Sequence, residues 1–157
     1  MIIDYESNPT IARALLLAKA MHFGQTYGNK DYVDFHLCGV AELAVKMPLA
    51  AVLDLDIDLD LVITVAILHD ILEDTPCTFD ILSILFGERA ATEVALLTKS
   101  TEISHNEYIS RIIRSPIARL VKIADTSFNL TQSSLGCDAK RIAKYTSQLL
   151  KLVGMSE

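Results

Sequence analysis

The run Leu61-Val-Ile-Thr-Val-Ala-Ile-Leu68 ends directly on His69-Asp70. A stretch with one hydroxyl among eight side chains has no polar face, so it must be buried on all sides. Its β-branched residues, Val62 to Ile67, would also suit a buried strand, but the flanks decide for helix. Asp58 or Asp60 supplies a helix start, and the pattern continues to about Glu73. It must stop there because Thr75 precedes Pro76, and a residue before proline avoids the α region. The expectation is a central buried helix whose last turn carries an imidazole and three carboxylates.

Helical punctuation governs the rest of the chain. Asn8-Pro9 is a cap followed by proline at the first helical position, and Ile11, Leu15, Ala18 and His22 recur at helical spacing until Gly28-Asn29. A second helix is expected from His36 to Met47, stopped by Pro48. Thr78 caps a further helix that Gly87 closes, and another runs from Glu88 to Lys99. Ser104-x-x-Glu107 is a capping box for a helix ending at Pro116. Two more are expected from Ile117 to Gln132 and, behind Asp138, from Ala139 to Leu150. No segment alternates as a strand would. These signals predict an all-α fold, a bundle of about eight helices, with residues 1–157 forming one domain.

The 14 Lys and Arg against 20 Asp and Glu leave a net charge of −6, which argues against nonspecific nucleic-acid binding. It still permits a small phosphorylated ligand, since a metal and local cations outweigh a distant acidic surface. Cys38, Cys77 and Cys137 are odd in number and form no C-x-x-C pair. With Asp4 and Glu6 preceding the first apolar run, they suggest reduced thiols in a cytoplasmic protein. No apolar run approaches the ~20 residues of a membrane span. Asp54-x-Asp56-x-Asp58-x-Asp60 lacks the glycine and terminal glutamate of a calcium loop and reads as a solvated loop and helix start.

His36, His69-Asp70, Glu73-Asp74 and Asp125 carry the chemistry. His69 and Glu73, and likewise Asp70 and Asp74, are spaced i,i+4. Carboxylates this close, beside an apolar run, repel one another and are costly to desolvate; a divalent cation removes that cost. Asp125 interrupts the apolar stretch Leu120-Val121-x-Ile123-Ala124 and needs a partner there, with Asn129 at i+4. Lys122, at i−3, is either that charge partner or a phosphate contact. His22 and His105 lie away from these motifs in sequence.

Four segments, "AMHFGQTYGNKDY" before His36, "AILHDILEDT", "FGERAATEVALLTK" and "LVKIADTSFNL", resemble in order and separation the HD superfamily. The likeness is closest to the hydrolase domain of RelA/SpoT-type alarmone enzymes and their short stand-alone relatives. It implies that His36, His69, Asp70 and Asp125 bind one metal, usually Mn²⁺, and that Glu73 and Asp74 sit over the attacking water. It also implies that Asn129 contacts the nucleoside. Lys30, Tyr32, Lys99, Lys122 and Arg141 are the further residues expected to meet the substrate.

The chain departs from the pattern in three places, the first being the Arg-Lys pair that family members often place before the His36 segment to hold phosphate, where this chain has Tyr27 and only Lys30. Where the family commonly has Pro-Tyr-x-x-His-Pro, the segment Asp31-Tyr-Val-Asp-Phe-His-Leu37 carries one extra residue and neither proline. No basic residue follows Asp125 before Phe128-Asn129. The resemblance implies release of 3′-pyrophosphate from guanosine tetra- or pentaphosphate. The alternatives are an HD phosphatase for another nucleotide or phosphorylated metabolite, and a nucleotide-binding HD domain without catalysis. The sequence leaves the oligomeric state open.

Overall fold

The protein is described by a computed structural model covering residues 3–47 and 57–154. Helix α1 (Pro9–Met21) begins at the expected cap: Asn8 Oδ1 accepts from the amides of Thr10 and Ile11 at 2.9 and 3.3 Å. The chain then forms a hairpin, β1 (Thr26–Tyr27) antiparallel to β2 (Lys30–Asp31), turned by Gly28 at φ 65°. No strand was expected here, because two-residue strands are too short to show alternation.

A π-helical turn, Val33–Leu37, follows and runs without a break into α2 (Cys38–Lys46). The second helix thus starts ahead of His36, and its expected stop at Pro48 lies outside the described residues. So do Asp54 and Asp56. The described remainder of that acidic run is consistent with a helix start: Asp58 Oδ1 accepts from the Leu61 amide at 3.1 Å, and Asp60 Oδ2 from Asn8 Nδ2 at 2.7 Å.

Helix α3 (Leu59–Leu68) is the expected central helix, with every residue from Val62 to Leu68 buried. It does not reach Glu73. Asp70 sits at φ −100°, ψ −2°, and a separate single turn, α4 (Ile71–Asp74), follows. The cause is local. His69 Nδ1 lies 2.7 Å from the Ala66 carbonyl, the acceptor that the Asp70 amide would use in a continued helix. The helix therefore breaks at its functional end, and the ring is held by the carbonyl left free.

The remaining helices are α5 (Phe79–Phe86), α6 (Glu88–Leu97), α7 (His105–Ile113), α8 (Pro116–Leu135) and α9 (Ala139–Val153). Thr78, Ser104, Ser115 and Asp138 cap α5, α7, α8 and α9 through their side chains. Half of the expected capping box forms: Ser104 Oγ accepts from the Glu107 amide, while the Glu107 carboxylate turns to Arg111 at 2.6 Å. Helices α1, α2, α6 and α8 surround α3, and α9 lies along α8. Fully burying each large aliphatic side chain of α3 contributes about 1.5–3 kcal/mol, which anchors the functional end of that helix.

Helices α2 and α8 meet where Gly39 faces Phe128; a β-carbon at Gly39 would collide with the Phe128 ring. That ring in turn lies edge-on to His36, with centroids 5.2 Å apart. Gly39→Ala should therefore destabilise the fold by about 1–3 kcal/mol, the usual cost of overpacking. Chemical denaturation checks this, and a variant as stable as the parent would show that Phe128 swings aside freely.

Candidate metal centre and cleft

His36, His69 and Asp125 come from the π-helical turn, the end of α3 and the middle of α8. Each offers one ligand atom, and these atoms lie within 4.8 Å of one another. Asp70 joins them: its Oδ2 is 3.5 Å from His36 Nε2 and 3.1 Å from His69 Nε2. Asp125 Oδ1 is 3.6 and 3.8 Å from the same two nitrogens. The structure thus brings together all four residues singled out as metal ligands.

The donor set can be tested against a cation without assuming one. A carbonyl oxygen only accepts, so His69 Nδ1 carries the proton in its bond to Ala66. In the neutral ring Nε2 then holds a lone pair. That nitrogen is buried, makes no hydrogen bond and faces two carboxylate oxygens. Lone pairs converging on a buried point repel unless a positive charge lies among them. Two imidazoles and two carboxylates balance a divalent ion and leave coordination positions open. The residues fit a divalent cation.

Without a metal, a proton takes this role. Burial disfavours the His69 imidazolium, but Asp70, with Asp125 behind it, outweighs burial and lifts the pKa to about 9. Burial likewise opposes the charged forms of Asp70 and Asp125. The histidines around Asp70, helped by Tyr32, hold its carboxyl well below the usual range, and Lys122 with His69 lowers that of Asp125.

Lys122 Nζ lies 3.0 Å from Asp125 Oδ2, with its charge maintained against burial first by Asp125. Of the two roles open to it, the geometry shows the charge partner. Asn129 Nδ2 contacts both the backbone oxygen and Oδ1 of Asp125 at 3.1 and 2.6 Å, and its Oδ1 accepts from Tyr27 at 2.9 Å. The amide expected to meet a nucleoside is thus also an orienting group for Asp125. Tyr27 stacks on His36 with centroids 5.2 Å apart. Tyr32 donates to Asp70 Oδ2 at 2.6 Å.

A cleft of about 300 Å³ opens above the cluster. Glu73 and Asp74 line it, exposed to solvent, and Glu73 Oε2 accepts from the Lys99 amide at 3.0 Å. Partial desolvation at the cleft wall, then Asp70 and Glu73, raises the Asp74 carboxyl above its ordinary pKa. Lys99, Lys122, Tyr32 and Asn129 line the same cleft. Lys30 and Arg141 do not. They border an adjoining hollow that shares Tyr27 with the cleft; Lys30 Nζ lies 3.7 Å from the Phe35 ring centre, and Arg141 donates to the cleft-lining hydroxyls of Tyr27 and Tyr145 at 3.4 and 3.5 Å. His105, Tyr108, Lys144 and Gln148 line the cleft without having been singled out. For the last two a signal existed: Lys144, Tyr145 and Gln148 follow Arg141 at i+3, i+4 and i+7, one face of an amphipathic helix.

The likeness read from the motifs is borne out by known proteins. A solved structure of a metazoan ortholog of SpoT, described as hydrolysing ppGpp and acting in starvation responses, shares the fold. The TM-score is 0.71 at 24% identity, over 94% of this chain and 85% of that one. In sequence, the chain is 28% identical over 152 residues to the bifunctional (p)ppGpp synthase/hydrolase SpoT of Escherichia coli K12. A guanosine-3′,5′-bis(diphosphate) 3′-pyrophosphohydrolase of Shigella flexneri matches equally, in both cases over 88% of this chain. The chain spans about a fifth of the length of these curated relatives, 20% of each. No family model matches it.

Metal and proton compete for His69, which sets a pH signature. In the metal-free protein the folded pKa of His69, about 9, exceeds its ordinary 6.5. Its stabilising contribution is therefore full below 6.5 and lost as pH rises through 9. Metal uptake must displace that proton, so affinity should rise by about tenfold per pH unit across the same window. Thermal melts with chelator and metal titrations from pH 6 to 9 check both trends. Parallel rather than opposed trends would show that His69 carries no proton in the metal-free state.

Proposed function

We propose that this protein is a metal-dependent pyrophosphohydrolase that removes the 3′-diphosphate of guanosine tetra- or pentaphosphate, with residues 1–157 acting as one domain. The observation that carries this reading is the convergence of His36, His69, Asp70 and Asp125 beneath a cleft lined by Glu73 and Asp74. The SpoT-like relatives support the substrate class. Mixed nitrogen and oxygen donors without a thiolate suit Mn²⁺ and also admit Fe²⁺, Co²⁺, Ni²⁺ or Zn²⁺; the resemblance to the alarmone hydrolases is what points to Mn²⁺. A divalent ion held by His36, His69, Asp70 and Asp125 would lower the pKa of a bound water and polarise a phosphate oxygen.

The side chains supply the rest. Asp74, its proton affinity raised by partial desolvation and by its acidic neighbours, and Glu73, fixed by the Lys99 amide, orient the attacking water and take its proton. The P–O3′ bond breaks, pyrophosphate leaves, and the ribose oxygen receives a proton from the same carboxylate pair. These two carboxylates act as a coupled pair, so acid and base are not assigned separately. Lys122 and Asn129 hold Asp125 in position throughout. Among the described residues no helix is long and apolar enough to cross a membrane, and the three free cysteines favour a reducing, cytoplasmic setting.

A second reading, an HD phosphatase acting on another nucleotide, is favoured by one observation. Lys30 and Arg141, two cations expected to grip a highly charged substrate, border the hollow adjoining the cleft rather than the cleft floor above the cluster. Ion-exchange chromatography of products from a nucleotide panel with Mn²⁺ separates the two. Pyrophosphate released from guanosine 3′,5′-bis(diphosphate) supports the first. That substrate left intact while simpler nucleotides lose phosphate supports the second.

Glu73→Gln combined with Asp74→Asn should retain the metal and lose at least ~10²-fold in turnover, because neutral amides cannot accept the proton. Near-normal turnover with metal bound would mean that the water needs no side-chain base.

A further inference from the structure

The C-terminal cap of α1 holds a histidine that the proposed chemistry does not use. His22 is 3% exposed, and its Nε2 is buried without a hydrogen-bond partner. Its Nδ1 is bonded to the Gln25 side-chain oxygen, and since an amide oxygen only accepts, Nδ1 carries the proton. The ring lies against Tyr32, with centroids 5.3 Å apart and planes inclined by 30°. Tyr32 donates through its hydroxyl to Asp70 Oδ2, the oxygen closest to both ligand histidines. The Tyr32 amide is held by the Gln25 backbone carbonyl at 3.2 Å.

A phenyl ring would fill the space behind Tyr32 without burying an unsatisfied nitrogen. What the imidazole adds is the bond to Gln25, which fixes the plane of the ring. Gln25 thus controls Tyr32 twice, through its backbone carbonyl and through the orientation of the ring against which Tyr32 packs. We infer that His22 is a positioning residue for the metal centre: with Gln25 it aims the Tyr32 hydroxyl at Asp70 and so fixes the rotation of that carboxylate toward the cation. Groups of this kind, which act on a ligand from behind, typically change metal affinity by ten- to a hundredfold. This role rests on the metal centre proposed above.

The test is Mn²⁺ affinity by calorimetry, together with the visible spectrum of the Co²⁺-loaded protein, for His22→Phe, Gln25→Leu and Tyr32→Phe. Each variant should bind Mn²⁺ about ten- to a hundredfold more weakly. His22→Phe combined with Tyr32→Phe should bind no worse than Tyr32→Phe alone, because both act through one hydrogen bond. The Co²⁺ bands of His22→Phe should shift toward those of Tyr32→Phe, a change that loosened packing elsewhere would not produce. Gln25 is partly exposed, so Gln25→Leu decides the matter should His22→Phe fail to fold. Parental affinity in folded His22→Phe or Gln25→Leu, or additive losses in the double variant, overturns the role of His22 alone. No Mn²⁺ uptake by the unaltered protein overturns the metal centre, and the role of His22 with it.

Discussion

Like charges cannot be buried together without a counter-charge, and the cleft floor is organised around that constraint. Asp70 and Asp125 lie beside an apolar helix, and five side chains that can carry a positive charge or donate a hydrogen bond face them. Lys122 reaches one Asp125 oxygen and Asn129 the other, while Tyr32 reaches Asp70. His36 and His69 face both carboxylates. The surrounding helices bring these groups from distant parts of the chain to a point where a divalent ion would complete the balance.

The all-α class, the central helix and most helix starts were legible in the sequence because their causes are local. Asn8, Asp58, Thr78, Ser104 and Asp138 each cap a helix through their own side chain. The end of α3 was not legible, because it depends on the side chain of His69 competing for the Ala66 carbonyl. Pattern and periodicity hold no information about that competition. The hairpin at Thr26–Asp31 was missed because two residues per strand leave no period to read.

The site divides in the same way. Residues whose chemistry is conspicuous in sequence, the His-Asp pair and the carboxylate interrupting an apolar stretch, come together as expected. Residues whose role depends on who stands beside them do not announce themselves. Lys122 had two readings; its 3.0 Å contact with Asp125 shows the charge partner, and the side chain also lines the cleft. His22 looked isolated because Tyr32 lies ten positions away, across a hairpin. Lys30 and Arg141 were drawn from motif resemblance, and a motif does not say on which side of Tyr27 a side chain falls.

The π-helical turn at Val33–Leu37 bears on how this loop tolerates a change in length. An added residue in an ordinary helix rotates everything downstream by about 100°, which would turn the apolar face of α2 away from the core. A single wide turn absorbs one residue locally and leaves the following helix in phase. The segment before His36 carries one residue more than the motif it resembles, and the wide turn sits at that point. Length variation is thereby taken up beside His36, at the floor of the cleft, while the scaffold behind it keeps its register.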